Sequence, residues 1–246
     1  MAWKGPRRDC DEERGVMKKD FWEKYATDYH RSKKTSYQEY LYSYELDFIL
    51  NNCHERDFLL DIGCGTGILT QELSNHFNRV IGCDLSEKML EEALRYYRKE
   101  LSGKLINSDI YHLPFDDATF MNVVCLGVFS YLERKLQALR EIVRITHSKG
   151  AIIFDVLGRY SSRRLRYTLG KYLGLRDCQV KHYHWYTHEE IYDEFSGYGK
   201  IKGICGMKCP ILYPPLHQVP LIRKLDHMLN DRMFFPSRYL IALEVY

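Results

Sequence analysis

The eight cysteines of this 246-residue chain, at positions 10, 53, 64, 83, 125, 178, 205 and 209, form no C-x-x-C pair. That argues against a zinc ribbon or a thioredoxin-like redox motif. Cys64, Cys83 and Cys125 lie in or beside apolar runs, so buried, reduced thiols are expected rather than a disulfide frame. Cys205-x-x-x-Cys209 has no second pair to complete a metal site, and no metal is expected. No apolar stretch approaches the ~20 residues that a membrane span needs. Charge of one sign is also lacking. The formal net charge is only +3, which gives no global case for nucleic acid. No internal repeat is visible.

The opening "MAWKGPRRDCDEERGVMKKD" has no apolar centre and does not read as a secretory signal; residues 1–20 are expected to form a disordered leader. "EERGV" before Met17 suits a translated purine-rich ribosome-binding site, with Met17 the native start. Native peptides upstream of Met17 in a mass spectrum would refute this. A cytoplasmic location is the expectation.

What is present is a rhythm. "DFLLD" (57–61), "RVIGCD" (79–84), "KLINSD" (104–109), "FMNVVCLG" (120–127) and "AIIFDVL" (151–157) read as short buried strands. Helical patterns separate them: "GILTQELSNHF", a stripe of Met89, Leu90, Ala93, Leu94 and Tyr97 after an N-cap at Ser86, and the amphipathic 133–147. Lys149-Gly150 is expected to turn into the fifth strand. This alternation predicts an α/β fold, a doubly wound and mostly parallel sheet with helices on both faces. Its ligand crevice should lie outside the carboxyl ends of the strands. Residues 21–56 read as a helical cap and 57–246 as the main domain, with an insertion at about 158–186. Thr187-x-x-Glu190 is a capping-box signal, and "GKIKGICG" and "RYLIALEVY" read as two final strands.

Three glycines, Gly63, Gly65 and Gly67, stand at every second position behind the first strand. Bare backbone there allows close approach of a ligand. The dinucleotide fingerprint is G-x-G-x-x-G, and here the third glycine comes one residue early. Asp61 before the turn is a poor neighbour for a pyrophosphate and a good one for an ammonium group. Asp84, closing the second strand, can accept two ribose hydroxyls. Asp109, closing the third, can accept from an exocyclic amine of adenine, with Ile110 against the ring.

"LLDIGCGTG", "VIGCDLSEKML", "NSDIYHLPFDDATFMNVVCLGVFSYLE" and "ALREIVRITHSKGAIIFDV" together resemble the successive motifs of class I S-adenosylmethionine-dependent methyltransferases, closest to the ubiquinone/menaquinone-biosynthesis-like branch. The resemblance covers about residues 20–157 and implies a seven-stranded, Rossmann-like sheet ending in an antiparallel hairpin. It implies S-adenosyl-L-methionine as cofactor. Asp61 and the Gly63–Gly67 backbone would face its methionine part and Asp84 its ribose. Leu85 and Ile110 would flank its adenine, Asp109 would bind the adenine amine, and Leu126 would lie near the sulfonium. Tyr29, in "FWEKYATDYH", matches the tyrosine of an N-terminal helix that closes over the cofactor.

Where many relatives carry a histidine or acidic pair after the fourth strand, this chain has "GVFSYLE", with Tyr131 in that place. His182, His184 and His112 are the other candidates for a general base, and Tyr131 for a substrate contact. The resemblance implies methylation of a small-molecule acceptor, at oxygen by family precedent. Between Arg159 and Lys181 seven Lys or Arg face one acid, Asp177, among interleaved leucines and tyrosines. A lid helix with a solvated basic face accounts for this. Peripheral membrane contact through this insertion is the alternative, and nucleic acid is a weaker one. A protein or RNA methyltransferase and a non-catalytic S-adenosylmethionine-binding regulator stand as rival functions.

Overall fold

The computed structural model describes residues 19–33, 35–53, 55–161, 164, 168, 183–207 and 236–246. The leader before Lys19 and most of the basic insertion, including His182, lie outside the described residues, as does Cys209. In chain order the elements are α1 (Lys19–Lys33), α2 (Ser36–Asn52), β1 (Phe58–Ile62), α3 (Ile68–Leu73), β2 (Arg79–Asp84) and α4 (Glu87–Leu101). There follow β3 (Leu105–Asn107), β4 (Phe120–Cys125), α5 (Lys135–Ile145), β5 (Thr146–Gly158), β6 (Trp185–Tyr186), α6 (His188–Phe195), β7 (Gly199–Met207) and β8 (Arg238–Val245).

Seven strands run in the order β3-β2-β1-β4-β5-β8-β7, and the two-residue β6 adds to the far end of β5. β1 to β5 pair in parallel, whereas β8 runs antiparallel to both β5 and β7. The fold is therefore the doubly wound α/β sheet with a reversed last hairpin. Successive strand residues go to opposite faces. Leu60, Val123 and Ile152 join Phe129, Ile142 and Phe195 in one buried cluster. Their neighbours Leu59, Val124 and Ile153 join Ile49 of α2 and Leu73 of α3 in the other. Burial on both faces is why the strands read as apolar runs rather than as alternations.

Ser86 caps α4, accepting from Met89 N at 3.2 Å, and Thr187 with Glu190 forms a complete capping box on α6. Several boundaries differ from the sequence reading, three of them with a structural reason. α5 stops at Ile145, because Thr146 already pairs with Phe120 on β4. Lys149-Gly150 lies inside β5, where Lys149 takes φ +65 and the register to β4 shifts. An irregular strand therefore replaces the expected turn. β3 ends at Asn107, so Asp109 sits two residues beyond the strand, in a bend closed by His112 N donating to Asp109 O.

Gly67 takes φ +75 as the cap of α3, and a Cβ there would lie 2.6 Å from Leu101 Cδ1 and 3.1 Å from Ala93 Cβ. Its lack of a side chain serves the close packing of α3 on α4. Replacing Gly67 by Ala is expected to lower unfolding stability by roughly 2–4 kcal/mol, from left-handed strain and overpacking together, as read by denaturant titration.

Candidate active site

The turn after β1 is pinned from beneath. Gly63 N and Cys64 N both donate to Cys83 O, at 2.7 and 3.0 Å. Gly63 takes φ +72 with Val128 Cγ2 occupying the place where a Cβ would stand, and Gly65 takes φ +54 beside the Tyr29 ring. At Gly63 any side chain would displace Val128, whereas at Gly65 it is the positive φ that favours glycine. Asp84 holds the same turn from the side: its Oδ2 accepts from Gly65 N at 2.9 Å and its Oδ1 from Ser86 N at 2.8 Å.

Above the carboxyl ends of the strands lies a cleft floored by Gly63, Gly65 and Asp84. Leu85, Asp109 and Ile110 line one end, and Leu126, Gly127 and Tyr131 the other. Asp109 Oδ1 accepts from Tyr111 N at 3.0 Å. Ile110 is buried, while Leu85 is exposed at the rim.

The roof is aromatic. Trp22 meets Tyr131 edge-on at 5.3 Å and Tyr29 at 6.1 Å, and Tyr183 approaches Tyr131 at 6.4 Å. α1 is docked by its own side chains. Glu23 accepts from Glu87 N and Lys88 N, at 2.9 and 3.3 Å, at the start of α4. His30 stacks on Tyr96 at 3.5 Å and shares a hydrogen bond with Thr66 Oγ1 at 3.2 Å. A carboxylate at the N-terminal end of α4 is favourable for both hydrogen bonding and helix dipole.

A second, polar chamber adjoins the cleft and shares Tyr29, Gly63, Leu126 and Gly127 with it. Asp61, Lys33, Glu45 and Arg238 line it. Asp61 is buried and accepts from Thr70 Oγ1 at 2.6 Å. Burial pushes its carboxyl up to about 7, opposed by the Thr70 hydroxyl and reinforced by Asp84 and Glu45. Lys33 Nζ sits 5.0 Å over the Tyr29 ring, and burial lowers its pKa while Glu45 opposes the shift. Desolvation, with Asp84 nearby, holds the Tyr29 phenol well above its ordinary range.

Residues 60–154 match the family described as a methyltransferase domain. The matched stretch runs from β1 into β5 and contains the glycine turn, Asp84 and Asp109. An uncharacterised protein of Methanocaldococcus jannaschii is 38% identical over 109 residues, 44% of this chain and 44% of its own. A malonyl-[acyl-carrier protein] O-methyltransferase of Hamiltonella defensa is 32% identical over 111 residues, 45% of this chain and 42% of its own. The matched stretches thus span about half the length of these curated relatives, or somewhat less. Among solved structures, a methyltransferase from Thermotoga maritima shares the fold at 20% identity and TM-score 0.64, over 91% of this chain and 97% of that one. Geranyl diphosphate C-methyltransferase of Streptomyces coelicolor does so at 17% identity and TM-score 0.60, over 85% and 81%.

The site suits S-adenosylmethionine, the cofactor that the resemblance of the sequence motifs implies. Acidic groups at or just beyond the ends of three successive strands favour a cationic nucleoside over a diphosphate. The structure brings Asp84, Leu85, Asp109, Ile110, Leu126, Gly63, Gly65, Tyr29 and Tyr131 into one cleft, with Asp61 in the adjoining chamber. It turns Gly67 against α4 instead. His184 is exposed and lines a separate depression with Glu133 and Glu194, and His112 is exposed outside the cleft. Among the described residues no histidine lines the cleft.

Trp22, Lys33, Glu45 and Arg238 were not foreseen as site residues. Trp22 had a signal, lying two helical turns before Tyr29 on the same face of α1. The others had none, since no local pattern relates positions so far apart.

The raised Asp61 carboxyl predicts a pH dependence of stability. Between about pH 4 and 7 the folded chain keeps a proton that the unfolded chain releases, so this residue's contribution to stability falls as pH rises through that window. Thermal melts at pH 5 and pH 8 should show a larger loss in the native protein than in Asp61→Asn.

Proposed function

We propose that this protein transfers a methyl group from S-adenosylmethionine to a small-molecule acceptor, at an oxygen atom. The observation that carries this reading is the acidic floor of an apolar cleft. Asp84 and Asp109 face one end and Asp61 adjoins the other, around a glycine turn open to close approach. S-adenosylmethionine, when bound, supplies a methyl group activated by its cationic sulfur.

The residues divide the work. Asp84 still has acceptor capacity beyond Gly65 N and Ser86 N, and would receive the ribose hydroxyls. Asp109, with Tyr111 N on one oxygen, would receive the adenine amine on the other, while Ile110 and Leu85 bracket the ring. Asp61 and the backbone at Gly63 and Leu126 would face the amino-acid end, beneath Tyr29. Trp22 and Tyr131 would exclude water and hold the acceptor over the reacting centre.

Holding reactants in line removes roughly 7–11 kcal/mol of barrier. A general base adds about 10²–10⁴-fold, near 3–6 kcal/mol. Positioning is the larger contribution, so the reaction does not depend on a histidine in the cleft. The oxygen preference is supported by the O-methyltransferase names of relatives such as that of Hamiltonella defensa. The depth of the cleft and its aromatic roof favour a small acceptor over a nucleic acid.

Calorimetric titration tests the first step. The native protein should bind S-adenosylmethionine, and Asp84→Ala should weaken binding by about 10–100-fold, the range for lost charge-assisted hydrogen bonds. No heat of binding in the native protein would defeat the reading. Incubating a metabolite extract with labelled methyl donor should then transfer label to a small molecule, with Tyr131→Phe retaining binding of the donor.

A further inference from the structure

The bend after β4 is where the cleft and the polar chamber meet, and Gly127 borders both. It takes φ +73, and a Cβ there would face open space. Among the described residues no atom lies within 4 Å of that position, so packing on it does not set the orientation of the peptide. Its amide does: Gly127 N donates to Asp155 Oδ1 at 2.5 Å. Asp155 is buried on β5, and its Oδ2 lies 2.9 Å from Nε of Arg238, at the start of β8. The Nη2 of Arg238 in turn donates to Glu45 Oε1 of α2 at 2.6 Å, and Glu45 is also buried. A single chain of charge thus runs from the helical cap, through β8 and β5, to one backbone amide where the cleft and chamber meet.

The peptide between Leu126 and Gly127 is trans, so its carbonyl points opposite to its N–H. With the N–H turned back to Asp155, the Leu126 carbonyl is turned away from Asp155. Two buried carboxylates on one guanidinium are costly to desolvate and add little to stability by themselves. Their geometric effect is specific, because three sequence-distant elements must be in register for the amide to be held.

Resting on the reading of the cleft as an S-adenosylmethionine site, we propose that Asp155, Arg238 and Glu45 are positioning residues for the amino-acid end of that ligand. They act by fixing the Leu126–Gly127 peptide plane and by tying it to the α2 cap. The nucleoside end, held by Asp84 and Asp109, is independent of them.

Calorimetry of the full chain with two probes tests this. S-adenosylhomocysteine carries the amino-acid end, and 5′-methylthioadenosine lacks it. Asp155→Ala and Arg238→Gln should weaken the first by about tenfold or more and leave the second within about twofold, with Arg238→Lys recovering part of the loss. Glu45→Gln should show a smaller loss of the same selectivity, and it carries the test if the other variants do not fold. Equal loss toward both probes, or no loss toward either, would overturn the proposal. A native protein that binds neither probe would overturn the reading of the cleft, and this inference with it.

Discussion

The contact on which the site depends is the Asp84 carboxylate between two backbone amides. One oxygen takes Gly65 N from the turn after β1, and the other takes Ser86 N at the start of α4. A single side chain thus sets the height of the glycine turn relative to the neighbouring strand and the following helix. The Cys83 carbonyl, receiving Gly63 N and Cys64 N, completes the brace from below. With the turn held from two sides, the positive-φ glycines are kept where bare backbone faces the cleft. The same carboxylate keeps acceptor capacity toward the space above.

The glycines illustrate how one motif serves several ends. Gly63 makes room for Val128, Gly65 lies beside Tyr29, and Gly67 lets α3 pack on Leu101 and Ala93 of α4. Two of the three therefore shape the cleft, and the third shapes the layer that supports it. The aromatic roof depends on that layer as well. α1 is held to α4 by Glu23 on the amides of Glu87 and Lys88 and by His30 on Tyr96, which places Trp22 against Tyr131. Cap, turn and roof are parts of one mechanical assembly.

Charge is arranged in two layers around the cleft. Asp84 and Asp109 use part of their hydrogen-bonding capacity to order backbone and leave the rest toward the ligand space. Asp61, Glu45, Asp155 and Arg238 lie deeper, and burial raises the carboxyls of Asp61 and Glu45. Burying charge has a stability penalty unless pairing offsets it. Its concentration at the junction of cleft and chamber, rather than through the core, fits a site that must orient a charged ligand.

Much of this was legible in the order of residues. Strand and helix alternation follows from buried apolar runs and caps such as Ser86 and Thr187, which are local properties. The acids at 61, 84 and 109 were legible because a parallel sheet places consecutive strand ends at one edge. The length of β5 was not legible, because Thr146 joins the sheet only through its pairing with Phe120. Nor could Gly67 be told from its neighbours, since its role depends on where Leu101 arrives. His184 read as a candidate base on chemistry alone, and the fold places it outside the cleft. By itself, then, the sequence determined the class of fold, the glycine turn and the acidic edge, because short-range patterns encode them. Only the tertiary structure decided the roof of Trp22 and Tyr131 and the chain from Glu45 to Gly127. Those contacts join residues as much as 193 positions apart, and packing alone brings them together.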